Sequence, residues 1–310
     1  MLIHSSARCQ NRAESENLYS VNQYGKDLRL KNTTKNDILK QGFKTQAFDE
    51  YLGEFVTTVI SEDNILQTGT VEGTAYKLTI RLRRWAGKTT PEQIVILSRL
   101  FWQCYPRMYR RFGKAGNSPT RITLNIEDRG YEIAWQSENL IHLHDGWLQR
   151  YPNDFDCITH ELAHAIQNGW DDGRRLEYDD YIERFADVCR YLYAFNNGEY
   201  NDPQWELGTA EEETHRKDSN RFPVWFDYQY STPDCDLLLN YFTVCRGEKY
   251  PTHMWKEAWA EIFKGSALEG RDIEDVWNEY KQSEFASLST HAENGTSPLL
   301  EKYDVRGRVK

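Results

Sequence analysis

A short run at residues 160–164 constrains this chain more than any other feature, because His160 and His164 stand four positions apart and Glu161 lies between them. The run belongs to residues 155–167, where apolar side chains recur at helical spacing. On a helix, residues four apart share one face, so both imidazoles can bind one metal ion while Glu161 lies beside it. This pattern is typical of the zinc site of hydrolases. Two surface histidines on an ordinary helix are the alternative interpretation.

A second predicted helix offers the third ligand. Residues 181–192 are mostly apolar on one side and place Glu183 and Asp187 four positions apart on one face. Catalytic zinc takes three protein ligands and keeps one open position, and two histidines with one carboxylate are a known set. We therefore predict a Zn²⁺ site formed by His160, His164 and Glu183. Asp187 is expected to accept the second ring N–H of a ligand imidazole, although a solvated acidic face remains the alternative for this pair.

Composition narrows the class of protein. The chain of 310 residues has a formal net charge of −10 and a sequence pI of about 5.4, so no nucleic-acid partner is expected. No apolar run approaches the roughly 18 residues that a membrane span needs. Six scattered cysteines do not form the pattern of a disulfide scaffold. Cys157 and Cys189, at apolar positions of the two predicted metal helices, are expected to be buried free thiols.

Hydrophobic patterning predicts a mixed sheet and one long helix before the metal helix. The segments with strand character are residues 75–82, 121–127, 131–135 and 139–143. Residues 128–130 are predicted to form a hairpin turn between the second and third of these strands. Thr90, Pro91 and Gln93 have the residue types of a helix N-cap, N1 and N3, and this helix is expected to run to about Phe112.

The predicted strand at residues 139–143 is the candidate sheet edge. An exposed edge can hold an extended peptide by main-chain hydrogen bonds, without requiring a particular side chain. His142 and His144 share one face of this strand. They could be proposed as metal ligands, but no third ligand stands near them in the sequence. We therefore expect them to be strand or cleft-rim residues.

The second half is predicted to be mainly helical, with helices at residues 235–245, 253–263 and 273–280 that begin after Asp234, Thr252 and Asp272. The expected organisation is α+β. Residues 1–85 would form an N-terminal extension with a possible small strand or helix region. Residues 86–283 would form the main domain, with a small mixed sheet and the metal helix in an upper half (86–169) and helices in a lower half (170–283). Residues 284–310 are expected to be a polar tail.

Four segments, in order along residues 90–280, carry a resemblance to a known family. They are Phe101–Met108 leading to Arg111, Phe112 and Gly113; His160–Gln167; Glu183–Arg190, with the pattern Glu-x-x-Ala-Asp-x-x-Arg; and Leu239–Tyr241 followed by Val276–Tyr280. Together they resemble the basic secretory protein family, zinc metallopeptidases of plants and microbes. The resemblance implies a zincin-like fold of the gluzincin type, with His160, His164 and Glu183 as ligands and Glu161 as the catalytic carboxylate. The chain departs from that family in being acidic, and residues 1–85 lie outside the match.

The expected function is zinc-dependent hydrolysis of peptide bonds in a peptide or protein substrate. Zinc lowers the pKa of its bound water to about 7, and Glu161 takes the proton as general base and passes it to the leaving amine. Two alternatives stay open: a non-catalytic zinc-containing binding or defence module, and a zinc amidase acting on a non-peptide amide. His215, Tyr193, Tyr228 and Tyr230 are candidate donors to a developing oxyanion, and no spacing selects among them.

The sequence leaves the location and the assembly of the protein open. Met1–Gln10 lacks the apolar segment of a signal peptide. The resemblance implies a secreted protein, and a cytoplasmic one is the alternative. Substrate specificity, the choice between internal and terminal cleavage, and the oligomeric state are likewise undetermined by the sequence.

Overall fold

The computed structural model describes residues 55–61, 63–128, 133–152, 154–168, 175–193, 221–246, 255–283 and residue 286. These residues fall into two units. The sheet unit comprises the described residues up to 106 together with 119–165, and the helical unit comprises 107–118 together with the described residues from 166 onward. The predicted α+β class is confirmed, since a mixed sheet and several helices are present.

The sheet unit contains six described strands in the order β1-β2-β3-β4-β6-β5. They are β1 (Phe55–Ser61), β2 (Asn64–Val71), β3 (Thr74–Arg81), β4 (Arg121–Glu127), β5 (Ala134–Ser137) and β6 (Leu140–His144). The first three are antiparallel, β3, β4 and β6 are parallel, and β5 returns antiparallel to β6 at the edge. Glu72 and Gly73 join β2 to β3 with φ values of 49° and 78°, as a tight two-residue hairpin requires.

One face of the sheet is apolar and carries a helix. Its buried side chains include Leu78, Ile80, Ile122, Leu124, Ile126, Ile141 and Leu143. The helix α1 (Pro91–Met108) contacts this face through Ser98 and Trp102. Their Oγ and Nε1 atoms donate to Oε1 of the fully buried Gln67, at 2.6 and 2.7 Å. The buried amide oxygen of Gln67 thereby has two hydrogen-bond donors, as an apolar interface requires.

The predicted start of α1 is confirmed. Thr90 Oγ1 accepts a hydrogen bond from Gln93 N at 3.2 Å, and Gln93 Oε1 accepts one from Thr90 N at 2.9 Å, which is a reciprocal capping box. At its other end α1 continues as a π-helical segment, Tyr109–Gly113, and one further turn at Lys114–Gly116. Asn117 ends this turn in the left-handed conformation with φ of 50°.

The remaining helices follow β6. They are α2 (Trp147–Arg150), α3 (Asp156–Gln167), α4 (Arg175–Tyr193), α5 (Arg221–Tyr230), α6 (Leu237–Arg246), α7 (Trp255–Ile262) and α8 (Ile273–Gln282). Asp272 caps α8 by accepting from Glu274 N at 2.9 Å, as predicted. Asp236, rather than Asp234, accepts from Leu239 N in the first turn of α6. The sequence did not predict α5, and the predicted cap Thr252 lies outside the described residues.

Aromatic side chains fill the core of the helical unit. Phe112 lies between Phe185 of α4 and Phe242 of α6, with ring centroids 5.0 and 5.3 Å away. A second cluster surrounds Phe222 of α5, whose ring contacts Trp225, Phe226, Trp259, Trp277 and Tyr280. Burial of each such ring contributes about 1.5–3 kcal/mol. The first cluster therefore stabilises the packing of α4 and α6, and the second stabilises the packing of α5, α7 and α8.

A charged group lies inside the same core. Arg111, in the π-helical segment, donates from Nη2 to both carboxylate oxygens of Asp227 at 2.8 and 2.9 Å. Its Nε atom donates to Asp236 at 2.8 Å. Burial alone would lower the pKa of Arg111, but the two carboxylates more than offset this effect and its pKa is raised. The guanidinium therefore stays charged and joins α5 to the start of α6.

Two predictions about the strands are wrong. The segment at residues 139–143 is not an edge, because β6 lies between β4 and β5, and β5 forms the edge. The strands on either side of the hairpin predicted at residues 128–130 do not pair with each other, since β4 pairs with β6, and residues 129–132 lie outside the described residues. The antiparallel hairpin is instead β5–β6, which turns at Glu138 and Asn139. The strand predicted at 131–135 is observed at Ala134–Ser137.

The sheet crosses the boundary that was predicted at residue 85. β3 pairs in parallel with β4 from Lys77–Arg121 to Arg81–Asn125, so residues before and after 85 belong to one sheet. Residues 1–54 and 287–310, which include the predicted tails, lie outside the described residues. None of the described helices is both long enough and apolar enough to cross a membrane.

Candidate metal centre

The helix α3 places His160 and His164 one turn apart on the same face. The helix buries Ile158, Leu162 and Ile166 on its apolar side, which fixes its rotation and so the direction of the two imidazoles. Their Nε2 atoms are 3.0 Å apart. His160 is buried, with 4% of its surface exposed, and His164 is half-buried.

Glu183 of α4 completes a cluster of three ligand atoms. One nitrogen of His160, one nitrogen of His164 and one carboxylate oxygen of Glu183 all lie within 4.8 Å of one another. Of the three residues, His160 is buried, His164 is half-buried and Glu183 is exposed. The structure therefore brings together the three residues that the sequence predicted as ligands, and the cluster could hold a metal ion.

The donor set fits zinc. Zinc bonds of about 2.0–2.1 Å in tetrahedral geometry separate neighbouring ligand atoms by roughly 3.3 Å, close to the 3.0 Å between the two Nε2 atoms. Imidazole nitrogen is a borderline-soft donor and carboxylate oxygen is a hard one, and zinc binds both. Three such ligands leave the fourth tetrahedral position open for another ligand. The geometry of the described residues fixes no particular metal.

Two backbone carbonyls close in sequence to the candidate ligands, those of Ile166 and Ile182, accept side-chain hydrogen bonds. Ser118 Oγ donates to Ile166 O at 2.6 Å, and Gln167 Nε2 donates to Ile182 O at 2.8 Å. A Cβ atom at Gly116 would lie 2.6 Å from Ile166 O, so only glycine permits this approach. The sequence did not indicate that Ser118, Gln167 and Gly116 have this role, because no pattern of spacing distinguishes them from other serine, glutamine and glycine residues.

Glu161 and Asp187 occupy different surroundings. Glu161 follows the first ligand on α3 and is buried, with 7% of its surface exposed. Asp187 is half-buried on α4, one turn after Glu183. Its hydrogen bond to a ligand imidazole stays a prediction.

Cys157 and Cys189 are buried free thiols, as predicted, and burial raises the pKa of the Cys189 thiol well above its ordinary value.

The candidate oxyanion donors that fall in the described helices have structural contacts. The Tyr193 ring packs against Phe112 and is fully buried, and this burial raises its pKa. Tyr230 hydrogen-bonds through its hydroxyl to Glu279. These contacts favour packing roles for both tyrosines, while Tyr228 is half-buried. His215 lies outside the described residues.

His142 and His144 lie on β6, as expected for strand residues. His142 hydrogen-bonds through Nδ1 to Glu127, and its ring stacks on Trp135 with centroids 3.8 Å apart. His144 Nδ1 lies 3.9 Å from Asp128. The parallel pairing of β4 with β6 brings Glu127 to His142, which the spacing of 15 residues in the sequence does not indicate.

Comparisons with known proteins found no relative. The chain has no significant match to a protein-family model, to a curated protein or to a solved structure. The resemblance to the basic secretory protein family rests on the four sequence segments described above. The first three contain residues of α1, α3 and α4, and the fourth contains residues of α6 and α8.

Proposed function

We propose that this chain is a zinc-dependent peptidase whose ion is bound by His160, His164 and Glu183. The observation that carries the proposal is the cluster of their three ligand atoms within 4.8 Å. The zincin-like fold, membership of the basic secretory protein family and a secreted location belong to the same proposal. They are supported by the order of the four segments along the chain and by the helical placement of the metal ligands.

The proposed chemistry divides between the ion and Glu161. Zinc, when bound, would act as a Lewis acid that lowers the pKa of water and polarises the scissile carbonyl. Glu161 accepts the proton of the attacking water as its oxygen bonds to the carbonyl carbon. The same carboxyl then gives that proton to the amine nitrogen as the carbon–nitrogen bond breaks. The burial of Glu161 next to His160 supports this role. A buried carboxylate on a packed helix has little conformational freedom, so little entropy is lost when it is positioned for proton transfer.

Asp187 has a supporting role in the proposal. A carboxylate that accepts the outer N–H of a ligand imidazole fixes the tautomer and raises the basicity of that ligand. Its place one turn after Glu183 and its partial burial are compatible with such a bond. The prediction is that Asp187 tunes affinity for the ion and takes no part in proton transfer.

The test is cleavage of a mixed quenched-peptide library by the wild type and by Glu161→Gln, with the zinc content of both measured. The wild type should cleave, and Glu161→Gln should keep one zinc at this centre and lose turnover. Glu257→Gln is the matched control, because Glu257 is an exposed carboxylate on α7 and its replacement should change neither property.

Two outcomes would overturn the proposal. Full activity in Glu161→Gln removes the general base from the mechanism. Zinc in both proteins with cleavage in neither removes peptidase activity and favours a binding module, or a non-peptide amide substrate that an amide panel would then detect. Cleavage by the wild type also gives the sites of attack, and so distinguishes internal from terminal hydrolysis.

A further inference from the structure

A second group of chemically competent side chains lies on the polar face of the sheet, where β4 and β6 end. Alternation along β4 puts Asn125 and Glu127 on one face, and alternation along β6 does the same for His142 and His144. The parallel register pairs Asn125 with His142 and Glu127 with His144. These four residues, called here the β4–β6 cluster, are therefore neighbours on one side of the sheet.

The hydrogen bond between Glu127 and His142 sets the state of the imidazole. A carboxylate only accepts, so Nδ1 of His142 carries the proton that it donates to Glu127. In the neutral ring the Nε2 atom then has a free lone pair. The flat stacking of the ring on Trp135, with an interplanar angle of 7°, holds its direction. This carboxylate–imidazole arrangement is the one that orients histidines bound to metal ions.

Three buried polar atoms of the cluster lack a hydrogen-bond partner in the described part of the structure. They are His142 Nε2, Asn125 Oδ1 and His144 Nδ1. His142 and Asn125 are only 6% and 7% exposed. Buried polar groups in folded proteins almost always have a partner. These three atoms belong to side chains on one face of two neighbouring strands, where a ligand could supply the partner that they lack.

The chemistry of these atoms selects a cation. His142 Nε2 and Asn125 Oδ1 are electron-pair donors, and the imidazole of His144 can be one. Asp128 adds a carboxylate oxygen 3.9 Å from His144 Nδ1, and Glu127 adds negative charge behind His142. Two imidazoles two residues apart on a strand, with an amide oxygen beside them, suit a divalent first-row transition metal such as Zn²⁺, Ni²⁺ or Cu²⁺ better than Mg²⁺ or Ca²⁺.

We infer that the β4–β6 cluster is a second transition-metal site. His142, His144 and Asn125 supply its ligand atoms, and Glu127 orients His142. The site shares no residue with His160, His164 and Glu183. It does not depend on the proposed peptidase activity, and it holds whether or not the chain cleaves peptides.

The experiment measures zinc bound per chain, by elemental analysis after equilibrium dialysis against a fixed free zinc concentration. The decisive protein is the double variant His160→Ala/His164→Ala, which lacks two ligands of the other centre. It should retain one zinc, and adding His142→Ala should remove that ion. In the same background, Glu127→Gln should weaken binding by about 10- to 100-fold while keeping the ligands. Ser137→Ala, an exposed position on β5, is the control and should keep the ion.

The stoichiometry of the double variant decides the question. No zinc in a folded double variant, as judged by circular dichroism, overturns the inference and leaves an ordered water as the occupant of the cluster. Zinc that survives His142→Ala also overturns it. If the triple variant does not fold, the isosteric Glu127→Gln variant provides the test, since unchanged affinity there rejects the site. Failure of the peptidase proposal would appear separately: the wild type would cleave no peptide and would still bind the ion of the β4–β6 cluster.

Discussion

Replacement of Arg111 by methionine tests the core of the helical unit. Methionine keeps much of the aliphatic volume and removes the guanidinium, so Asp227 and Asp236 lose their shared cation. Asp227 has no exposed side-chain surface, and Arg111 has 2%. Breaking a buried ion pair by removing one partner costs about 3–5 kcal/mol, because the remaining charge stays desolvated. The free energy of unfolding of Arg111→Met should therefore fall by that amount at pH 7.

The assay is urea unfolding followed by tryptophan fluorescence, with the midpoint and slope compared between proteins. Lys256→Met is the matched control. It breaks an exposed ion pair to Asp272, of 3.1 Å, in which the side chains are 53% and 46% exposed. Exposed pairs contribute about 0–1 kcal/mol. A loss for Arg111→Met no larger than that for Lys256→Met would refute the reasoning about burial.

Acid should reduce the difference between Arg111→Met and the wild type. Burial alone would raise the pKa of Asp236, but Arg111 more than offsets this effect and holds that pKa below its ordinary value of 3.8. A lowered folded-state pKa stabilises the wild type above the unfolded-state pKa, and this contribution is lost as pH falls through the folded-state value. Without Arg111 the Asp236 carboxyl protonates more readily, so the stability gap should narrow below about pH 4. An unchanged gap from pH 7 to pH 3 would contradict the ion-pair account.

Three further changes have defined outcomes. Asp187→Ala should weaken zinc affinity by about 10- to 100-fold if this carboxylate orients a ligand imidazole, and competition with a chelator measures it; unchanged affinity would reject that role. Thr90→Ala removes the N-cap acceptor of α1 and should cost about 1 kcal/mol in urea unfolding, whereas a neutral result would show that the capping box is not stabilising. Gly116→Ala forces a Cβ to 2.6 Å from Ile166 O and should cost about 1–3 kcal/mol; the same change in stability from Ala115→Ser, at an exposed site, would reject steric crowding as its cause.

Local signals predicted individual helices, including the one that carries His160 and His164. The capping box of Thr90 and Gln93 and the cap at Asp272 each lie in the first turn of their helix, and the apolar periodicity of residues 155–167 runs along the helix that it predicts. Such interactions need no knowledge of distant residues. For the same reason the strand Arg121–Glu127 was predicted with its observed bounds, because its alternation is internal to the segment.

Strand order was not predictable in this way. The insertion of β6 between β4 and β5 depends on pairing between segments that are 17 residues apart, such as Asn125 with His142. Sequence proximity instead favoured a β4–β5 hairpin. The boundary predicted near residue 85 failed for the same reason, since the β3–β4 pairing spans the whole of α1. Non-local pairing also creates the β4–β6 cluster. The sequence around His142 and His144 does not show that Asn125 and Glu127 lie beside them.

The positions of the candidate metal ligands depend on contacts that no motif encodes. Ser118 and Gln167 direct hydrogen bonds to the carbonyls of Ile166 and Ile182, and Ile182 immediately precedes Glu183 in the chain. A ligand displaced by about 1 Å can abolish a metal site, so such supporting bonds matter as much as ligand identity. The π-helical segment places Phe112 against Phe185 of the same helix α4. The motif therefore specifies which atoms are candidate ligands. The packing of the π-helical segment against α4 supports the helix that carries the third candidate, Glu183.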